Sequence, residues 1–201
     1  MSNRAVTTKE RILDAAEGLM LAKSYHSVGL NEILSAVQVP KGSFYHYFSS
    51  KEQFGVELLK HYAADAADYK SRMLLSVEVE PDALRRLITF FETCLGKYLQ
   101  SEGRCPCLLV KLSTEISDFS DDMRAVLAAG SLESVTILRK TIELGVAQRS
   151  VRPQQDPAAT AAVIEDLWAG AMQRAAVARN VAPLRNALHF IRALLSLPET
   201  R

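Results

Sequence analysis

Five ring-bearing side chains stand in a row within the segment VPKGSFYHYFSSKE. One helix cannot bury five consecutive rings, because its residues point in all directions around the axis. Phe44 and Phe48 are four residues apart, so they share a face and are expected in the core as an ordinary hydrophobic cluster. Tyr45, His46 and Tyr47 then face outward, where hydroxyl groups and ring nitrogens can bind bases and phosphates.

Small and basic residues flank these rings. Lys41 and Lys51 lie on either side and are suited to phosphate contacts. Ser43 is small enough to approach a base edge, and Gly42 permits close approach of the backbone. The segment therefore predicts a local nucleic-acid contact.

A second candidate for chemistry is the segment GRCPCLLVKLSTE. Proline favours the first helical position, so Pro106 predicts a helix with Cys105 as its N-cap and Cys107 in its first turn. Unpaired amides and the helix dipole stabilise a thiolate there. Lys111, four residues after Cys107, shares its helix face. A thiolate so placed reacts with electrophiles and oxidants.

Other roles for these cysteines stay open. Cys107 can also be a small buried hydrophobe before Leu-Leu-Val, and Cys94 is expected to be packing. No CxxC…CxxC or HxxxH spacing supports a metal site, and no cofactor is expected. For an enzyme with a cysteine nucleophile we find no partner base, because His61 and His189 lie on predicted helices with no evident Asp or Asn partner.

The elements that must carry these residues are helices, since helical periodicity is nearly everywhere and strand alternation is absent. We predict an all-α protein of about nine helices. Thr7-Thr8-Lys9-Glu10 is a capping box that opens the first. Two short helices with a tight turn follow it, which together make a three-helix unit with a helix-turn-helix. We divide the chain into residues 1–52 for this unit and residues 53–201 for a larger helical domain.

Composition narrows the class of protein. The chain has 201 residues, is 48% hydrophobic and carries a net charge of +1, so a nucleic-acid contact must be local. We expect no signal sequence and no membrane span. Three cysteines without a scaffold spacing are typical of a reducing compartment, and we predict a cytoplasmic protein.

The sequence VPKGSFYHYFSSKEQF and the helices before it resemble the DNA-binding signature of the TetR family of bacterial repressors. The resemblance implies an all-α homodimer that binds double-stranded operator DNA and is released by a small-molecule inducer. It also implies that the last two long helices of each subunit form a four-helix interface.

Roles follow from motif positions. The residues that the resemblance places near bases are Ser43, Tyr45 and His46. Those that it places at phosphates are Thr7, Thr8, Lys41, Tyr47 and Lys51. The family often has threonine at position 43 and histidine at position 47, so the contact types are similar here while the resemblance does not give the base preference.

Small and apolar residues of the two late helices suit a helix contact, but a core within one chain explains them equally well. The residues concerned are Val163, Leu167, Gly170, Ala171 and Ala175, then Leu184, Leu188, Ile191 and Leu195. The dimer prediction therefore depends on the resemblance.

The stretch around Cys107 also resembles a TetR subgroup that responds to reactive electrophiles such as N-ethylmaleimide, quinones, aldehydes or acrylate-type acids. In that subgroup the cysteine matching Cys107 is associated with sensing. Cys105 departs from the pattern and is a resolving thiol or a bystander. The alternative is a TetR-type repressor with a reversible, non-covalent ligand in its C-terminal cavity, and a cysteine-dependent enzyme is more remote.

Overall fold

The computed structural model describes residues 6–197. Over this range the chain is all-α, with nine helices and no strand, as predicted. They are α1 (Thr8–Ala22), α2 (Leu30–Val37), α3 (Lys41–Tyr47), α4 (Lys51–Leu75), α5 (Ala83–Gln100), α6 (Leu108–Ile116), α7 (Asp121–Ala147), α8 (Pro157–Ala178) and α9 (Ala182–Leu195). None of these described helices is long and apolar enough to cross a bilayer.

The chain divides into two compact units. The first joins the chain up to Ala64 with Cys107–Ala128, and the second joins Asp65–Pro106 with the chain from Ala129 onward. The predicted division at residue 52 remains a prediction. Residues 1–5 and 198–201, the outer ends of the two predicted domains, lie outside the described range.

The first helix of the first unit begins at the predicted capping box. The Thr7 hydroxyl accepts the Glu10 amide at 3.2 Å, and the Glu10 carboxylate accepts the Thr7 amide at 2.7 Å. On the inner face of α1, Ile12, Ala16 and Met20 are fully buried. The cap fixes where α1 starts, and this apolar stripe fixes which face turns inward.

The turn between α2 and α3 depends on two residues. Gln38 ends α2 in the left-handed conformation, with φ 56° and ψ 43°, and its amide reaches back to the carbonyls of Leu34 and Ser35. Pro40 then stands as the N-cap of α3, and its carbonyl accepts the Ser43 amide at 2.9 Å. The result is the predicted helix-turn-helix.

A cluster of aromatic rings holds α3 to α4. Phe44, Phe48 and Phe54 are buried, with ring centroids 4.9–5.3 Å apart. This confirms the expectation that Phe44 and Phe48 are core residues. Ser50 directly precedes α4, and its hydroxyl accepts the Gln53 amide at 3.0 Å.

Helix α6 belongs to the same unit as the helix-turn-helix. Leu108, Leu112 and Ile116 are fully buried and join the core formed by α1 to α4. The Lys111 ammonium donates to the carbonyl of Leu21 near the end of α1, at 2.6 Å. Glu115 accepts the amide of His26 at 3.1 Å. Helix α6 is therefore fastened to α1 and to the loop that follows it.

The second unit contains α5, α8 and α9. Several residues offered above for a helix contact are buried within this unit: Ala171, Ala175, Leu184, Ile191 and Leu195. For them the core within one chain is the correct explanation. The large apolar side chains that α8 and α9 expose are Val163 at 55%, which was among the residues offered above, and Val177 at 88% and Phe190 at 53%, which were not.

Candidate DNA-binding surface and cysteine site

The predicted contact residues on α3 differ in their exposure to solvent. Tyr45 is 56% exposed and His46 is also exposed, whereas Tyr47 is half-buried and packs against the core of the first unit. Ser43 is half-buried at the start of the helix. A Cβ atom at Gly42 would meet no described atom within 4 Å, so packing within the chain does not require glycine there.

The two predicted phosphate anchors have different surroundings. Lys41 is exposed at the first position of α3. Lys51 is also exposed, but its ammonium donates to the carbonyl of Val28 at 3.1 Å and lies 5.2 Å from the ring centroid of Tyr25. Lys51 therefore holds the loop after α1 as well as offering a charge to solvent.

A surface cleft of about 550 Å³ lies beside the start of α1. Its lining includes Thr7, Lys9, Tyr47, Glu57, Lys60 and His61. Two of these, Thr7 and Tyr47, are predicted phosphate contacts that the fold brings together from α1 and α3. Thr8 is half-buried next to them.

Several charged side chains that line this cleft form ion pairs. The Lys9 ammonium donates to Oε2 of Glu57 at 2.7 Å, and the Lys60 ammonium donates to Oε1 at 3.4 Å. The hydrogen bond from Lys9 is the main cause that lowers the pKa of Glu57. His61 Nε2 lies 2.8 Å from Oδ1 of Asp14. The expectation that His61 has no acidic partner is therefore wrong. The sequence did not indicate this partner, because Asp14 is distant from His61 along the chain.

The cysteine segment differs from the prediction in its helix start. Cys107, not Cys105, is the N-cap of α6, with an extended backbone at φ −112° and ψ 117°. Its carbonyl accepts the first helical bond from the Lys111 amide at 2.9 Å. Helix α6 begins at Leu108, because this buried residue is the first of the apolar face of the helix. Pro106 therefore precedes the helix. Cys105 is buried.

The side chain of Cys107 has a partner that the sequence pattern did not indicate. Tyr62 of α4 hydrogen-bonds to the Cys107 side chain, and its oxygen accepts the amide N–H of Leu108. Burial, followed by the electrostatic effect of Cys107, raises the pKa of Tyr62 well above its ordinary value. The Tyr62 oxygen therefore accepts one of the amide N–H groups at the start of α6 that have no partner within the helix. The side chain of Cys107, although Cys107 is the N-cap, makes no such hydrogen bond.

Phe119, which follows α6, contacts the loop after α1. The Phe119 ring lies 5.0 Å from that of His26 and 5.9 Å from that of Tyr25, centroid to centroid. The Tyr25 hydroxyl in turn donates to the carbonyl of Lys51 at 2.8 Å. Contacts therefore lead from Phe119 through Tyr25 to Lys51, at the start of α4.

A helix-turn-helix packed into an all-α chain, with an exposed aromatic pair on its second helix, defines a DNA-binding regulator. The family profile for "Bacterial regulatory proteins, tetR family" matches residues 12–58, and that for "Tetracyclin repressor-like, C-terminal domain" matches residues 83–191. The chain belongs to the TetR family and is a transcriptional repressor of that family.

The similarity to known repressors covers nearly the whole chain. The HTH-type transcriptional repressor NemR of Escherichia coli (strain K12) is 36% identical over 193 residues, covering 95% of each chain. The HTH-type transcriptional repressor DhaR of Mycobacterium sp. (strain GP1) is 31% identical over 96% of this chain and 93% of its own. The crystal structure of reduced E. coli NemR matches with a TM-score of 0.86 at 34% identity, covering 96% of this chain and all of that one.

Proposed function

We propose that the protein acts in the cytoplasm as a homodimer that binds an inverted-repeat operator in double-stranded DNA through α3 of each protomer. The supporting observation is the division of the rings on α3. Phe44 and Phe48 anchor the helix in the core, which leaves Tyr45 and His46 exposed and fixed in direction. A rigid helix with outward polar rings suits the major groove.

The contacts fall into two groups. Ser43, Tyr45 and His46 are assigned to base edges, and each good base contact contributes about 1–3 kcal/mol of discrimination. The residues assigned to phosphates are Thr7, Thr8, Lys41, Tyr47 and Lys51, with Gly42 allowing the backbone to come close. Phosphate contacts fix the position of the protein without choosing a sequence.

The dimer is assigned to the outward faces of α8 and α9. Val163, Val177 and Phe190 expose apolar surface there that a second protomer would cover. A dimer with twofold symmetry presents two copies of α3, so its site is an inverted repeat.

The DNA part of the proposal is tested by selecting bound duplexes from a random pool. An inverted repeat is expected, and Ser43→Ala is expected to change the preferred base where Tyr47→Phe only weakens binding. Recovery of single half-sites, or a monomer at micromolar concentration in sedimentation, would contradict the dimer.

The signal is assigned to Cys107, which reacts with an electrophile or an oxidant. Its position supports this: the thiol lies at the start of α6, hydrogen-bonded to Tyr62, in the compact unit that also contains α3. With a maleimide or a quinone, the thiolate adds to the activated C=C bond. An S–C bond forms, the π bond is consumed, and the neighbouring carbon takes a proton from water.

The adduct has the size needed to act on the fold. Extra volume next to buried Leu108 costs about 1–3 kcal/mol of strain in a packed interior. If the DNA-free conformation relieves that strain, operator affinity falls about tenfold for each 1.4 kcal/mol. Cys105 and Lys111 are assigned secondary roles, Cys105 as a resolving thiol for oxidants and Lys111 as the anchor of α6 on α1.

The single test of sensing is Cys107→Ser. This variant should bind operator normally and stay bound when treated with N-ethylmaleimide or a quinone, as measured by fluorescence anisotropy. Normal release by Cys107→Ser would remove the covalent mechanism in favour of a reversible ligand.

A reversible ligand in the second unit is the alternative, favoured by one observation. The indole N–H of Trp168 is buried and has no hydrogen-bond partner within the described residues. The buried ammonium of Lys70 is already paired with Glu165 at 2.8 Å. An acceptor group on a small molecule would satisfy the indole donor. Release by an unreactive ligand in a cysteine-free variant is the result that would support this alternative.

We propose no catalytic activity and no cofactor. The relatives that match over the whole chain are repressors. His61, the histidine with an acidic partner, lines the cleft with Lys9 and Glu57, where it takes part in the ion pairs.

A further inference from the structure

The cleft beside the start of α1 contains two lysines in addition to the two contact residues assigned to it. Lys9 and Lys60 line it together with Thr7, Tyr47 and His61, and with the carboxylates of Glu10 and Glu57. The Lys9 ammonium also lies 5.7 Å from the ring centroid of Phe48, which keeps it close to the end of α3. A lysine at the edge of a DNA-binding helix is suited to a backbone phosphate.

Glu57, one of the two carboxylates that line the cleft, binds both lysines. Glu57 accepts Lys9 on Oε2 at 2.7 Å and Lys60 on Oε1 at 3.4 Å. The side chain of Lys9 is 37% exposed and that of Glu57 is 23% exposed. Because water reaches this ion pair in part, its contribution to stability is small, and a phosphate can compete for Lys9. When Lys9 leaves, Lys60 remains to neutralise the other carboxylate oxygen.

We propose that Lys9 is a further phosphate contact of the repressor, and that Glu57 is a built-in competitor that holds Lys9 until a DNA phosphate displaces it. The inference rests on the proposed docking of α3. Glu57 then sets how much affinity the Lys9 contact contributes. Its effect is the same for every DNA sequence, because phosphates carry no base identity.

The test uses the full chain and its selected operator in fluorescence anisotropy over a range of salt concentrations. Lys9→Ala should weaken binding about tenfold, as expected for one charge-assisted contact. It should also reduce the slope of log affinity against log salt by about one unit. Glu57→Gln keeps an acceptor oxygen but removes the charge, and should strengthen binding about threefold or more on operator and on random duplex alike.

Two controls separate competition from general charge effects. Asp121→Asn removes the same charge from an exposed pair with Arg124 that does not line the cleft, and should change affinity less than about twofold. In the Lys9→Ala background, Glu57→Gln should give no further gain, because the lysine that it competes for is absent. Thermal unfolding of each variant checks that folding is intact.

An unchanged salt slope for Lys9→Ala would overturn the inference. So would a gain by Glu57→Gln that Asp121→Asn matches, or one that persists without Lys9. The docking of α3 is tested separately, by the base preference of Ser43 variants. A changed base preference together with an unchanged Lys9 slope overturns this inference alone, whereas an unchanged base preference counts against the docking itself.

Discussion

The phenol of Tyr62 and the side chain of Cys107 are hydrogen-bond partners, and the phenol oxygen also accepts the amide of Leu108. One side chain on α4 thus contacts both the Cys107 side chain and the backbone at the start of α6. Because a hydroxyl donor stabilises a thiolate more than a thiol, Tyr62 is placed to favour the thiolate form that the proposed sensing requires.

Tyr62→Phe should slow alkylation of Cys107 by N-ethylmaleimide about tenfold near neutral pH, since a hydrogen bond to a charged group contributes about 1.5–3 kcal/mol. The midpoint of the rate against pH should move upward. Mass spectrometry of quenched samples gives the rate at each pH. Tyr69→Phe, on the same helix, is the matched control, and an identical profile for the two variants would mean that Tyr62 only fills space.

The other two cysteines should behave differently from Cys107. Cys94→Ser should release operator like the parent protein after treatment with an electrophile. Cys105→Ser should keep the response to alkylating agents and lose part of the response to oxidants, because Cys105 is assigned as a resolving thiol. Anisotropy traces with N-ethylmaleimide and with peroxide make the comparison, and an unaltered oxidant response would leave Cys105 a bystander.

Lys51→Ala and Lys41→Ala should separate binding from stability. Both should weaken operator binding and reduce the salt slope by about one unit each. Only Lys51→Ala should also lower the free energy of unfolding, by about 1 kcal/mol, since its ammonium holds the carbonyl of Val28. Chemical denaturation of both variants checks this, and equal stabilities would show that the Val28 bond contributes nothing.

Gly55→Ala should lower the free energy of unfolding by about 1–3 kcal/mol. An added Cβ atom would lie 2.8 Å from both Met123 Cε and the Tyr25 hydroxyl oxygen, which is too close. Gly18→Ala is the control, because that site in α1 has no atom within 4 Å of an added Cβ. Gly18→Ala should raise the free energy of unfolding by about 0.5–1 kcal/mol, and a loss in both variants would contradict the steric explanation.

Features encoded by neighbouring residues were predictable from the sequence. The capping box at Thr7, the turn before Pro40 and the inward face of Phe44 and Phe48 each depend on residues within about four positions. Local hydrogen bonds and helical spacing determine them regardless of the rest of the chain.

Features that join distant segments were not predictable. Asp14 meets His61 from 47 residues away, and Lys111 reaches the carbonyl of Leu21 across 90. Tyr62 and Cys107 meet only because α6 packs into the core of the first unit. The predicted start of α6 lies too early in the chain, because the proline preference is weak compared with the burial of Leu108.

The packing of α6 has a consequence for exchanging parts between family members. Leu108, Leu112 and Ile116 fill the core under α1 to α4 although they follow those helices by many residues. A chimera that takes only the first 64 residues from another repressor would set foreign side chains against these three. To change operator choice without loss of folding, a graft must bring the donor's own α6, and with it the donor's residue at position 107.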